Sequence, residues 1–92
     1  MNSTGLIQMI AKNDALYAKF NTTLQTLVLE NALYGASRTK PLVQKTYRLT
    51  TAVYDTLLQE DRLLVDKTVL LQHILTRVGI DVNVAKLVFP TA

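Results

Sequence analysis

The sequence predicts an all-α protein: an antiparallel four-helix bundle with a C-terminal strap or short fifth helix, forming one domain over residues 1–92. Three observations carry that expectation. Apolar residues recur at steps of three and four along most of the chain, the spacing of one helix face. Pro41, Gly35 and Gly79 stand where helices would begin or end. No run of alternating residues has a visible partner strand.

Ser3 or Thr4 can cap a first helix, with Leu6, Ile7, Met9 and Ile10 as its apolar edge. The register then continues through Asn13, Tyr17, Phe20, Leu24, Leu27, Asn31 and Tyr34 in steps of four and three. One long helix and a broken one both fit this pattern. Asn13-Asp14 and Asn21-Thr22-Thr23 are the candidate breaks, because these side chains favour caps and turns. The favoured reading breaks at Asn13-Asp14, with Asp14 capping a helix to about Tyr34.

Gly35 suits the left-handed position that ends a helix, and residues 35–40 read as a polar turn. Pro41 then opens a third helix, where its missing N–H would have no intrahelical partner. Val43, Tyr47, Thr50, Tyr54 and Leu57 form its apolar stripe, widened by Leu49, Val53 and Leu58. Gln44, Arg48, Thr51, Asp55 and Gln59 lie opposite. Glu60-Asp61-Arg62 closes it, and Asp66 caps the next helix. There Val69, Leu70, Ile74 and Val78 line the buried face, Leu71 and Leu75 widen it, and Gly79 ends it. In the tail, Ile80, Val82 and Val84 alternate as a strand would, yet Asp81 could cap a short helix to Val88. Without a partner strand, a helix or ordered strap is expected, stopped by Pro90.

Composition narrows the function. Hydrophobic residues make up 49% and charged residues 18%, enough for a full core with some left to cover against a partner or another copy. Zero cysteines exclude a disulfide framework and thiolate zinc. No apolar run reaches the ~20 residues that span a bilayer, and Met1-Asn2-Ser3-Thr4 lacks a basic signal region. A cytoplasmic location is expected.

No enzyme signature emerges. His73 is the sole histidine, with no companion for a metal or a proton relay. Glu60, Asp61 and Asp66 read as a helix end and a cap rather than a carboxylate pair. The four tyrosines fall on apolar stripes and read as core residues with hydroxyls at the rim. The net charge is +3, and Arg38, Lys40, Lys45 and Arg48 lie within eleven positions with no acid among them. Such a run marks either a solvated surface or a site for an anionic partner.

Several stretches together resemble the class IIa (pediocin-like) bacteriocin immunity proteins of the enterocin A immunity type. They are Pro41-Leu42-Val43, Tyr47-Arg48-Leu49-Thr50-Thr51-Ala52-Val53-Tyr54, the Arg62-Leu63 pair before Asp66, and Leu70 to Val78 ending at Gly79-Ile80. The similarity covers roughly Leu33 to Ile80. The chain departs from the family in being poorer in Lys and Glu and in its short first helix. The resemblance implies a cytoplasmic, non-enzymatic protein without a cofactor, working at the inner face of the membrane. It would protect its cell by associating with a membrane sugar transporter, the mannose phosphotransferase permease, captured by the bacteriocin. The family places specificity in its C-terminal half, here the fourth helix and residues 80–92. The partner-binding candidates are Arg38, Lys40, Lys45 and Arg48 from the basic run, with Arg77, Lys86 and Phe89 in the C-terminal part that the resemblance implicates.

Other readings stay open: a homo-oligomeric scaffold or regulator on the 6–34 register, a homodimer, or peripheral membrane association. A helix-turn-helix is the nucleic-acid alternative, with Lys67, His73 and Arg77 outward. Asp66 at the start of its recognition helix would meet phosphate unfavourably, so no nucleic-acid partner is expected. An all-α chorismate mutase type enzyme would need converging cations that this charge distribution does not suggest.

Overall fold

The computed structural model describes residues 3–60, 66–83 and 85, all helical or in short connections. The helical elements are α1 (Ser3–Ala11), α2 (Asp14–Gln59), which is kinked at Arg38, and α3 (Lys67–Val78). The chain is all-α. Beyond α3, the Ala85 N–H donates to the Asp81 carbonyl and the Asn83 N–H to the Asp81 carboxylate. Asp81 thus opens a helical turn, and the strand alternative fails for Val82, Asn83 and Ala85. The remainder of the expected strap lies outside the described residues, as do Asp61, Arg62 and Leu63.

The break near residue 13 forms, but Asn13 rather than Asp14 caps α2. Its side chain accepts from the Leu16 N–H at 3.0 Å with an extended backbone. Asp14 sits in the first turn, where its charge meets the positive end of the helix dipole.

Gly35 and the polar turn at 35–40 are corrected by the structure. Helical geometry runs through Gly35 to Ser37 and resumes at Thr39, and only Arg38 leaves it, at φ −133° and ψ 28°. Pro41 supplies the cause. Its ring crowds the Ser37 carbonyl four residues back, and its nitrogen cannot donate to that carbonyl. Nearby, the Thr39 hydroxyl donates to the Gly35 carbonyl at 2.6 Å and the Ser37 hydroxyl to that of Tyr34 at 3.1 Å. Hydroxyls thus stay on the helical carbonyls through the bend. Gly35 therefore ends nothing.

The kink divides α2 into arms 14–37 and 39–59, and the arms run antiparallel. Forty-six residues in a straight helix would span about 69 Å at 1.5 Å per residue, yet the longest dimension of the molecule is 37 Å. Lys45 meets Glu30 across the arms at 3.0 Å, and Asn13 Nδ2 meets Glu60 Oε1 at 2.6 Å at their open end.

The core lies between the arms, α1 and α3. Ile10, Phe20, Leu24, Leu27, Leu42, Val53, Leu57, Leu70 and Ile74 are among its buried side chains. Val43, Leu49, Thr50, Val53 and Leu57 of the expected stripe of the second arm are buried; Leu42 and Thr46 join them, while Tyr47 and Leu58 face solvent. Thr46 and Thr50 tolerate burial because their hydroxyls donate to the carbonyls of Leu42 and Thr46, each at 2.8 Å.

Asp66 and Gly79 bound α3 as expected. The Asp66 carboxylate accepts from the Val69 N–H at 2.9 Å. Gly79, at φ 97°, takes the left-handed position while its N–H and that of Ile80 reach back to Leu75. Ile80 and Ala85 fold back into the core.

Candidate functional site

Lys19, Thr23, Thr26 and Glu30 follow one another at steps of four, three and four, so they line one edge of the first arm. Lys45, Arg48 and Ala52 line the facing edge of the second. Between them runs an open groove of about 380 Å³, floored by Leu27 and Leu49. Its walls carry three cations and one carboxylate. Glu30 Oε2 holds Lys45 Nζ at 3.0 Å, yet the lysine side chain keeps 49% of its surface exposed. The groove thus keeps a positive excess above an apolar floor, with threonine hydroxyls along one wall.

These properties suit an extended chain bearing acidic side chains. Cations would meet carboxylates, hydroxyls would meet backbone amides, and the floor would take an apolar side chain. They supply no nucleophile and no second carboxylate across a pocket. Among the described residues, no group of three or more His, Asp or Glu could hold a metal. No buried side-chain nitrogen or oxygen lacks a hydrogen-bond partner among them either.

The structure distributes the sequence-derived candidates over three places. Lys45 and Arg48 lie in the groove. Arg38 and Lys40 are exposed at the kink, where the Arg38 guanidinium stacks 4.4 Å above the Tyr34 ring. Arg77 is exposed in the last turn of α3, a favourable place for a cation beside the helix dipole. Lys86 and Phe89 lie outside the described residues.

Lys19 was not among the candidates because it stands nineteen positions before Arg38, far from the basic run. Its signal was the step to Thr23, Thr26 and Glu30, legible once the two arms are known to pair.

The tyrosines are corrected as well. Tyr17, Tyr34 and Tyr47 are 37–44% exposed, and only Tyr54 packs against the core as a half-buried side chain. Lys67 Nζ lies 4.6 Å above the Tyr47 ring and donates to its hydroxyl at 3.2 Å, with the Tyr54 ring 6.0 Å away. The Tyr34 and Tyr47 rings therefore serve as seats for cations at the rim. This arrangement also turns Lys67 away from the outward line that a recognition helix needs, and His73 is half-buried. Of those three side chains Arg77 alone points fully to solvent.

No helix among the described residues is long and apolar enough to cross a membrane. Comparison with protein-family models, with curated proteins and with solved structures finds no match.

Proposed function

We propose that this chain is a non-enzymatic binding protein, an antiparallel four-helix bundle whose inter-arm groove receives an acidic segment of a protein partner. The observation that carries the reading is the groove itself: Lys19, Lys45 and Arg48 converge from two arms above Leu27 and Leu49, with Glu30 as the one acid. Cations brought together from positions 19 and 48 of the chain form a surface that a simple solvated run would not produce.

The resemblance carried by Pro41-Leu42-Val43 and Tyr47 to Tyr54 gives this reading its specific form, immunity to a class IIa bacteriocin. In that form the partner is the bacteriocin-captured sugar transporter at the inner face of the membrane, and the chain works in the cytoplasm. Arg48 and Lys45, which fall in or beside the resembling stretches, would make the contact, with Arg77 adding to it from α3.

Expression in a lactic acid bacterium sensitive to class IIa bacteriocins tests this directly. The expected result is protection against at least one bacteriocin of a panel, lost in the double variant Lys45→Glu/Arg48→Glu while its helical circular dichroism is unchanged. Absence of protection across the panel would overturn the immunity reading. Full protection by the double variant would overturn the groove as its site.

A further inference from the structure

The reversal of α2 is held by strictly local contacts. Arg38 is the one residue of its 46 that leaves helical geometry, so the two arms are joined with no loop between them. The side-chain contacts at the bend are ones that a straight helix would also make. The Ser37 hydroxyl reaches back three residues to the Tyr34 carbonyl, and the Thr39 hydroxyl four to that of Gly35. The Arg38 guanidinium stacks on Tyr34, four residues earlier. Ser37, Arg38, Lys40 and Pro41 are exposed, so straightening the bend uncovers no core. What opposes a straight helix is Pro41, whose ring crowds the Ser37 carbonyl.

The contacts between the arms, by contrast, do not depend on one chain supplying both. Lys45 and Glu30 lie seven and eight residues from Arg38, and Glu60 and Asn13 lie twenty-two and twenty-five from it. Two straightened copies of α2, crossing antiparallel at Arg38, would bring the same pairs together between chains. α1 and the first arm of each copy would then pack on the second arm and α3 of the other. That renews the core of Ile10, Phe20, Leu57, Leu70 and Ile74, together with the bond from Asn31 to Val78. We propose that the chain forms this domain-swapped dimer, with Arg38 as its hinge and a second copy as its partner. A short hinge between two packed halves invites such an exchange.

The exchange is independent of what the groove binds, yet it changes how the groove is built. Lys19 and Thr26 come from one chain and Lys45 and Arg48 from the other, so each dimer carries two whole grooves. Within a single chain the arms meet at an effective concentration of about a millimolar. The hairpin therefore prevails in dilute solution, and the dimer forms when chains refold together at millimolar concentration. Returning to the hairpin requires the core to open, so a dimer once formed persists on dilution.

Refolding light and heavy-isotope chains together at millimolar concentration, then diluting them for gel filtration, tests the proposal. A carbodiimide joins Lys45 Nζ to Glu30 Oε2 without a spacer, as their 3.0 Å separation allows. The wild type should yield a dimer fraction in which mass spectrometry finds this cross-link joining light chain to heavy. Pro41→Ala should raise that fraction several-fold, because the straightened helix then carries no proline in its interior. Inserting Gly-Gly-Ser after Arg38 should remove the dimer, since the hairpin gains a loop. Circular dichroism confirms the fold of each variant. A wild type that stays monomeric after refolding at millimolar concentration would overturn the proposal. So would a dimer whose Lys45–Glu30 cross-links all lie within one chain, or one that the insertion leaves intact.

Discussion

The side-chain amide of Asn31 donates to the backbone carbonyl of Val78 at 3.3 Å, tying the kink end of the first arm of α2 to the last turn of α3. Two glycines make room for that amide. A Cβ at Gly35 would stand 2.7 Å from Asn31 Oδ1, and one at Gly79 would stand 3.1 Å from Nδ2. The bond satisfies one of the carbonyls that every helix leaves without an internal partner at its C-terminus.

Asn31→Ala should therefore cost about 1–2 kcal/mol in urea unfolding. Gly35→Ala in an otherwise native chain gains little, because its methyl displaces the Asn31 amide. In the Asn31→Ala background the same change should stabilise by about 0.5–1 kcal/mol, the ordinary preference of a helix interior for alanine. Equal effects of Gly35→Ala in both backgrounds would show that the two positions are not coupled.

Gly79→Ala should destabilise by about 1–2 kcal/mol, since φ 97° strains any side chain and the new methyl crowds Asn31. Thermal unfolding checks this, and an unchanged melting temperature would contradict the left-handed cap.

The caps at Asp66 and Gly79 were legible because one residue and its immediate neighbours decide them. Gly35 and Pro41 were harder. Pro41 correctly signals an interruption, but its steric effect falls four residues earlier, on the Ser37 carbonyl, and the chain bends at Arg38 rather than unwinding from Gly35. Most of the second arm's stripe was legible, Val43, Leu49, Thr50, Val53 and Leu57 being buried, but Thr46 was missed because it looks polar until its hydroxyl is seen returning to the Leu42 carbonyl. Tyr17, Tyr34 and Tyr47 keep the helical register, but periodicity does not distinguish a ring in the core from one at its rim. Half of the groove was visible as the run containing Lys45 and Arg48. Lys19 required knowledge of which arm faces which, a tertiary fact that no local pattern carries.

Asn13 offers a test of the first break. Asn13→Ala removes both the cap on Leu16 and the bond to Glu60, at a cost of about 1–2 kcal/mol. Asn13→Ser keeps a capping oxygen but loses the reach to Glu60, so it should recover at least half of that. Chemical denaturation of the two variants separates the contributions, and equal losses would mean that the cap contributes nothing.

Phe20 and Leu29 lie on opposite sides of one arm and should respond very differently to truncation. Phe20→Ala removes a ring that is 1% exposed and should cost about 3–5 kcal/mol. Leu29→Ala should stay within about 0.5 kcal/mol, since the side chain is already 60% exposed. Comparable losses at the two sites would mean that the arm is rotated from the orientation described.

The groove exists because α2 doubles back at Arg38. Pulsed electron–electron resonance between spin labels at Asp14 and Gln59, the exposed ends of α2, measures that directly. The account predicts a single short separation, well inside the 37 Å longest dimension of the molecule. A separation near the roughly 68 Å expected for an unbroken helix over the same residues would contradict the hairpin, and with it the groove.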